Sequence, residues 1–289
     1  MKKVSKKLAV SNFWKNINVG IFLFLRKFPN ITNRKLKFSL LVLSKDKVKK
    51  LSARDKKRLL MLTNMLRDMD LFRKMLVFVR KQKTGSKELD EASFVTLAFS
   101  FTKILISKVY EIWEFLNSEK IEQEKVAFSD SLSKWWNEIE AFFLEEKNKK
   151  LFCFIRNKFG FHFDYYPDLE PYIEDAMNEV GNLEFWMGND SSGNDVFASS
   201  STVMLTVLRN KMRELGFAGN EEGLIGQLQR LPIQISYIMN EFCKGYLTEI
   251  ILKGHAFDEK STIAVTAPLL SKVNLPLIVY NDLKNKGRF

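Results

Sequence analysis

The stretch that decides the fold is residues 59–79, which read LLMLTNMLRDMDLFRKMLVFV. Its apolar side chains recur every three or four positions, the spacing that places residues on one face of an α-helix. Ser52 stands before this run and can accept a hydrogen bond from the first turn, so we predict a helix over 52–82 with Ser52 as its N-cap. The face that should be buried consists of Leu59, Leu62, Leu66, Met69, Phe72, Met75, Leu76 and Val79.

A second long helix follows a short break. Thr84, Gly85 and Ser86 interrupt the pattern, and the same spacing resumes over 87–117. A connection this short brings two helices side by side in opposite directions, so we predict an antiparallel hairpin. The stripe of the second helix consists of Phe94, Leu97, Phe101, Leu105, Val109, Ile112 and Leu116.

The remainder of the chain also reads mostly as helix. We predict one helix over 129–150, which begins at Ser129 or Asp130, and further helices over 167–181, 198–215 and 221–253, the last containing Pro232. Residues 36–43 fit either a short strand or an apolar helical turn, and the tail from Ser261 is expected to be irregular. The large apolar side chains on one face of the 129–150 helix are Trp135, Trp136, Ile139, Phe142 and Phe143.

These elements predict an all-α fold, a multi-helix bundle with a basic N-terminal extension and additional C-terminal helices. We place the extension at 1–51, the helical domain at 52–260 and the tail at 261–289. The composition agrees, because 46% of the residues are hydrophobic and 25 are Phe, against 13 Gly and 6 Pro. Such a chain can bury a large core and favours long regular elements over loops.

Cysteine and histidine are too scarce for a disulfide framework or a zinc site. Cys153 and Cys243 lie among apolar neighbours, which indicates reduced, buried thiols. Together with His162 and His255 they show none of the local spacings that zinc ligands adopt. We therefore expect neither a metal nor a cofactor.

The charge is concentrated at the N-terminal end. Residues 1–83 hold 24 Lys and Arg against 4 Asp and Glu, a net charge of +20, whereas the rest of the chain carries −8. A basic segment of this size is typical of proteins that bind a polyanion, and we predict RNA. An anionic membrane contacted through residues 19–28 and a merely solvated basic face remain alternatives. The side chains predicted to contact RNA are Lys47, Lys49, Lys50, Lys56 and Lys57.

The N-terminal region does not read as a secretory signal. Its apolar run over 19–25 is short and ends at Arg26 and Lys27, without a cleavage site. We also expect no stretch long enough to span a bilayer. The sequence therefore predicts a soluble, cytoplasmic protein.

Residues 152–164, FCFIRNKFGFHFD, hold the candidate catalytic side chains. Arg156 keeps its charge at every accessible pH, and Asn157 offers both donors and an acceptor. His162 is the side chain whose ordinary pKa lies near neutrality. Together Arg156, Asn157 and His162 could bind a phosphodiester and move its protons.

The relative placement of these residues depends on the local backbone. On one continuous helix, Arg156 and His162 would point about 120° apart and lie about 9 Å apart along the axis. Two chains that face each other across a two-fold dimer could bring such groups together. The alternation from Phe159 to Phe163 also fits a half-buried strand with His162 on its outer face.

Arg156-Asn157, followed by four residues and His162, resembles the Arg-x4-6-His signature of the HEPN superfamily (higher eukaryotes and prokaryotes nucleotide-binding). The resemblance covers about residues 52–184. It implies a helical bundle that dimerises through the motif region. It further implies a metal-independent endoribonuclease, as in toxins and phage-defence effectors, with Arg156 and His162 catalytic and Asn157 assisting.

The implied reaction is attack of the RNA 2′-hydroxyl on its own phosphate, so DNA should not be a substrate. The resemblance also implies a homodimer and an antitoxin or another defence-system protein as a possible partner. Some HEPN proteins are catalytically silent, so an RNA-binding or complex-forming subunit is an alternative. A membrane-associated abortive-infection protein that acts through residues 19–28 is another.

Overall fold

The structure is a computed structural model that describes residues 35–79, 84–160, 169–181, 183, 187, 196, 198–253 and 258–266. Its helices share one hydrophobic core, which confirms the predicted all-α bundle, and one pair of strands accompanies them. In chain order the elements are β1 (Lys35–Val42), α1 (Lys45–Lys50), α2 (Ala53–Phe78), α3 (Lys87–Ser118), a 3₁₀ helix (Ile121–Ala127), α4 (Asp130–Leu144), α5 (Glu146–Ile155), a π turn (Arg156–Gly160), α6 (Glu170–Val180), α7 (Ala198–Glu214), α8 (Glu221–Tyr246), a second π turn (Leu247–Ile251) and β2 (Asp258–Thr266).

Helices α2 and α3 both begin at serine N-caps. The side chains of Ser52 and Ser86 each accept a backbone N–H from the first turn, a donor that has no partner inside the helix. The apolar stripe of α2 faces the core as predicted, with Leu62 and Met69 fully buried. The stripe of α3 does the same from Phe94 onward.

The two helices run antiparallel, which confirms the predicted hairpin. At one end, Lys57 of α2 pairs with Glu119, the residue after α3, at 2.6 Å. Towards the other end, the rings of Phe72 and Phe101 lie 6.5 Å apart. The start of α2 therefore meets the end of α3.

Helix α3 corrects one expectation from the sequence. It has 32 residues and a mean hydropathy of 1.4 over an 18-residue stretch, so by length and composition it could cross a bilayer, contrary to the prediction. In the bundle, 61% of that stretch is buried. Contacts with α2, α5, α7 and α8 surround α3, so its apolar composition is that of a central core helix.

An aromatic cluster joins α3, α4 and α8. Trp113 of α3 stacks on Phe143 of α4 with 4.6 Å between the ring centroids. Trp136 of α4 lies 5.2 Å from Phe242 of α8. All four rings are buried, and each pair adds about 0.5–1.5 kcal/mol beyond the burial of its area.

The single helix predicted over 129–150 is two helices. Glu145 adopts an extended conformation, with ψ at 102°, and separates α4 from α5. The buried Asn148 side chain donates to the Phe142 carbonyl at 3.1 Å and to the Glu145 carboxylate at 2.7 Å, which satisfies an acceptor that the break leaves free. The bend brings the ring centroids of Phe142 and Phe152 to 5.2 Å from each other. In a straight helix, these two residues would lie about 15 Å apart along the axis.

The two ends of the described chain pair with each other. β1 and β2 form an antiparallel ribbon in which Lys35 lies opposite Thr266. The region 36–43, for which the sequence allowed a strand or a helical turn, is therefore a strand up to Val42. The prediction of an irregular tail is wrong for 261–266, where β-branched residues favour a strand.

The remaining helices lie close to their predicted positions. α6 begins at Glu170 rather than at Pro167, with Pro171 in its first turn, where a missing N–H costs nothing. α7 matches its prediction to within a residue. α8 continues through Pro232 and passes into the second π turn.

A buried guanidinium joins the end of the hairpin to α8. Arg58 is 2% exposed. Its Nε donates to the Glu119 carboxylate at 3.1 Å, and its Nη1 donates to the Glu124 carboxylate at 2.8 Å and to the Tyr246 hydroxyl at 2.7 Å. Tyr246 in turn donates to Glu124 at 2.7 Å. Every polar group in this cluster therefore has a partner, which is what makes burial of the charge tolerable.

The charge state of Glu119 makes the cluster sensitive to acid. The hydrogen bond from Lys57, with a smaller contribution from Arg58, lowers the pKa of Glu119 against the opposing effect of burial. The contribution of Glu119 to stability is therefore complete above the ordinary pKa of a glutamate. It is lost as the pH falls through the lower folded-state value.

Replacing Arg58 by Met should lower the free energy of unfolding by about 3–5 kcal/mol, because two carboxylates would lose their shared buried cation. Urea unfolding at neutral pH, followed by circular dichroism, measures the change. Arg67→Met is the control, since Arg67 is exposed and pairs with the adjacent Asp68, and its cost should stay below about 0.5 kcal/mol. Equal unfolding midpoints for the two variants would show that the Arg58 cluster does not hold the bundle together.

Candidate active site

The candidate motif begins where α5 changes its winding. Residues Arg156–Gly160 continue α5 as a π turn, so the strand alternative for 159–163 does not hold at Phe159 and Gly160. Single π turns recur at functional sites. A second π turn follows α8 at Leu247–Ile251, so this feature supports a site at the motif without defining one.

Apolar side chains anchor the turn from its inner side. Phe152 and Ile155 are fully buried, and Phe159 is 5% exposed. The Phe159 ring also packs edge-on against Phe154 with 5.7 Å between the centroids. With these residues in the core, Arg156 remains half-buried at the surface of the bundle.

Gly160 packs directly against α3. A Cβ atom added at Gly160 would lie 2.2 Å from the Ser107 Oγ and 3.0 Å from the Ser107 Cβ, well inside van der Waals contact. Ser107 is fully buried, and its hydroxyl donates to the Lys103 carbonyl at 2.8 Å. The hydroxyl cannot rotate away without losing that bond, so the close approach of the two helices requires glycine.

A short chain of hydrogen bonds holds the motif side chains. Arg156 Nη1 donates to Asn157 Oδ1 at 2.9 Å, and Asn157 Nδ2 donates to Cys153 Sγ at 3.4 Å. Tyr110 of α3 lies near the same sulfur and near Glu114. Burial first, and then the interaction with Cys153, raises the pKa of Tyr110, so its hydroxyl keeps its proton.

The positive charge of Arg156 is not neutralised within the described part of the chain. No carboxylate there forms an ion pair with it, whereas the buried Arg58 and Arg209 each contact two glutamates. A guanidinium cannot lose its charge, and its planar donors match the oxygens of a phosphate. Arg156 is therefore suited to bind an anion from outside the chain.

Ser107 and Tyr110 of α3, which the sequence analysis did not single out, lie beside the motif, and Lys103 shares their face of the helix. Lys103, Ser107 and Tyr110 follow one another at spacings of four and three, which places them on one face of the helix. Lys103 is half-buried, and burial lowers its pKa. Polar residues at spacings of four and three within a mostly apolar helix are the sequence signal that could have predicted this polar face of α3.

The third predicted catalytic residue is not among those described. His162 falls in the range 161–168, two positions after Gly160 in the sequence, and His255 also lies outside the described residues. The structure thus brings Arg156 and Asn157 together and leaves the position of His162 as a prediction.

The lysines predicted to bind RNA lie on α1 and in the first turns of α2. Lys49, Lys50 and Lys56 are exposed, and Lys47 is half-buried. Lys56 Nζ donates to the Lys49 carbonyl at 3.2 Å, so the two helices meet at this point. Lys57 pairs with the Glu119 carboxylate at 2.6 Å, and the exposed Lys49 pairs with the exposed Asp46 at 3.6 Å, so both charges are partly neutralised within the chain.

No family model, curated protein or solved structure matches this chain. Among the residues that the structure describes, no group of three or more His, Cys, Asp or Glu side chains could hold a metal ion. A proposal for the function of the chain therefore rests on its own residues and contacts.

Replacing Gly160 by Ala should lower the free energy of unfolding by about 1–3 kcal/mol, because the new methyl group overlaps Ser107. Removing the Ser107 side chain as well, in Gly160→Ala/Ser107→Gly, should cost less than the sum of the two single changes. Urea unfolding of the four proteins measures the coupling. Gly226→Ala is the control, since nothing lies within 4 Å of a Cβ there. Additive costs would contradict the close contact.

Proposed function

We propose that this chain is a metal-independent HEPN-type endoribonuclease that cleaves single-stranded RNA in the cytoplasm, as a toxin or an antiphage abortive-infection effector. The observation that carries the proposal is the half-buried Arg156 guanidinium, which Asn157 holds and no carboxylate in the described residues neutralises. The exposed lysines of α1 and α2 add attraction for the RNA backbone. The resemblance of Arg156-Asn157…His162 to the HEPN motif supplies the reaction class.

In the proposed reaction the RNA provides its own nucleophile. The 2′-oxygen bonds to the adjacent phosphorus as the bond to the 5′-oxygen of the next nucleotide breaks, which leaves a 2′,3′-cyclic phosphate and a 5′-hydroxyl. The proton lost by the 2′-hydroxyl is matched by the one that the departing 5′-oxygen gains, and His162 handles this transfer. Arg156 contacts the non-bridging oxygens and stabilises the charge that develops on them.

We further propose a homodimer joined around the motif. Arg156 lies at the edge of the bundle, so a second chain can approach it there. Two motifs facing each other would supply an arginine and a histidine to a shared cleft, as the resemblance implies. An antitoxin or another defence protein that covers this cleft would hold the enzyme inactive.

Arg156→Ala and His162→Ala should each reduce cleavage of single-stranded RNA by about 100-fold or more, because one removes phosphate stabilisation and the other proton transfer. Initial rates with an end-labelled RNA in EDTA measure the loss. Arg230→Ala is the matched control, since Arg230 is an exposed arginine of α8 without an ion pair among the described residues.

All three proteins should melt within a few degrees of the wild type. Wild-type rates in His162→Ala would remove this residue from the site, and wild-type rates in Arg156→Ala would do the same for the guanidinium.

Neutralising the lysines of α1 and the start of α2 should weaken RNA binding in a salt-dependent way. The test variant changes Lys47, Lys49, Lys50 and Lys56 to Gln and keeps Lys57, whose loss would unpair Glu119. The slope of log affinity against log salt should flatten by about 0.7 for each phosphate that the variant no longer neutralises, as measured by fluorescence anisotropy with 2′-O-methyl RNA.

The matched control removes the same charge elsewhere, by changing the exposed Lys120, Lys134, Lys244 and Lys253 to Gln. Equal slopes for the two variants would point to net charge alone rather than a site. Unchanged RNA affinity with weakened binding to anionic vesicles would assign the lysines of α1 and α2 to a membrane.

A further inference from the structure

The contact between Arg156 and Asn157 needs an explanation, because neighbouring residues on a helix point about 100° apart. They meet only if the Asn157 amide is held with its oxygen towards the guanidinium. That oxygen accepts from Arg156 Nη1 at 2.9 Å, which leaves the amide nitrogen to be satisfied elsewhere. What holds that nitrogen decides how Arg156 is oriented.

Cys153 meets this requirement. Its sulfur lies one helical turn before Asn157 and accepts from Asn157 Nδ2 at 3.4 Å. The reversed amide would set its NH2 group against the guanidinium, donor against donor, so Arg156 itself excludes that orientation. The sulfur stabilises the remaining orientation, because it accepts from the amide nitrogen. Cys153 is half-buried and unpaired with Cys243, and Tyr110 of α3 lies near its sulfur.

We infer that Cys153, backed by Tyr110, is a positioning residue that fixes the Asn157 amide and thereby aims the Arg156 guanidinium at the substrate phosphate. This inference rests on the proposed ribonuclease function. It adds two residues to the site that the motif itself does not contain. In this role the thiol is a hydrogen-bond acceptor that orients the Asn157 amide, and not a nucleophile.

The test compares Cys153→Ala, which removes the acceptor, with Cys153→Ser, which restores one. Cys153→Ala and Tyr110→Phe should lower kcat about 3- to 10-fold, the reduction expected for one hydrogen bond, while KM stays near the wild-type value because the lysines still bind the RNA. Cys153→Ser should recover most of the wild-type kcat. Cys243→Ala is the control, since it removes a fully buried thiol on α8 and should lower the melting temperature without changing kcat.

A second readout does not depend on activity. The side-chain amide signal of Asn157 and the guanidinium signals of Arg156, assigned by NMR from Asn157→Asp and Arg156→Lys, should shift and sharpen towards free rotation in Cys153→Ala. They should return towards their wild-type positions in Cys153→Ser.

The outcomes separate the two proposals. Wild-type kcat and unchanged NMR signals in Cys153→Ala would overturn the positioning role, and so would a Cys153→Ser protein as impaired as Cys153→Ala. A wild-type protein that cuts no RNA would contradict the proposed function. The NMR comparison would still decide whether Cys153 orients Arg156.

Discussion

The buried guanidinium of Arg58 meets Glu119, Glu124 and Tyr246 where α2, the end of α3 and α8 converge. Removing a cation from water is costly, and the arrangement is stable only because each of its partners is itself hydrogen-bonded. The cluster fixes the axial position of α3 relative to α2 and α8. That position in turn determines which residues of α3 face α5 and the π turn. Ser107 consequently meets Gly160, and Tyr110 lies near Cys153.

The buried arginines Arg58 and Arg209 differ from Arg156 in their partners. Arg58 and Arg209 are buried, each lies between two glutamates, and each joins three segments of the chain. Among the described residues, Arg156 is held by an amide and pairs with no carboxylate, which fixes its orientation without neutralising its charge. An uncharged partner is what a phosphate-binding arginine needs, since a carboxylate would compete with the substrate. Cys153 and Tyr110 then extend the support of that amide back into α3.

Much of the fold was predictable because it follows from periodicity. The stripes beginning at Leu59 and Phe94 and the serine caps specify the hairpin, and both helices begin where expected, although the first ends at Phe78, before the predicted residue 82. The break at Glu145 was not predictable, since no glycine or proline marks it and the bend is stabilised by Asn148 and by packing of Phe152. The strand over 258–266 depends on a partner more than 200 residues away in the sequence, a pairing that local pattern cannot show.

The candidate site was likewise predictable only in part. Arg156, Asn157 and His162 were found from residue chemistry and spacing, whereas the contributions of Ser107, Tyr110 and Cys153 arise from tertiary contacts with α3. The π turn also has no marker in the local sequence, because its winding is set by how Phe159 and Gly160 seat against the core.

Arg156 and its neighbours are proposed to form a site in which RNA is cleaved by its own 2′-hydroxyl. Mass spectrometry of the fragments produced by the purified protein in EDTA tests this most directly. We predict 2′,3′-cyclic phosphate and 5′-hydroxyl ends, and no cleavage of an RNA with a single 2′-deoxy substitution at the cut position. Fragments with 3′-hydroxyl and 5′-phosphate ends, or cutting that continues at the 2′-deoxy position, would contradict it.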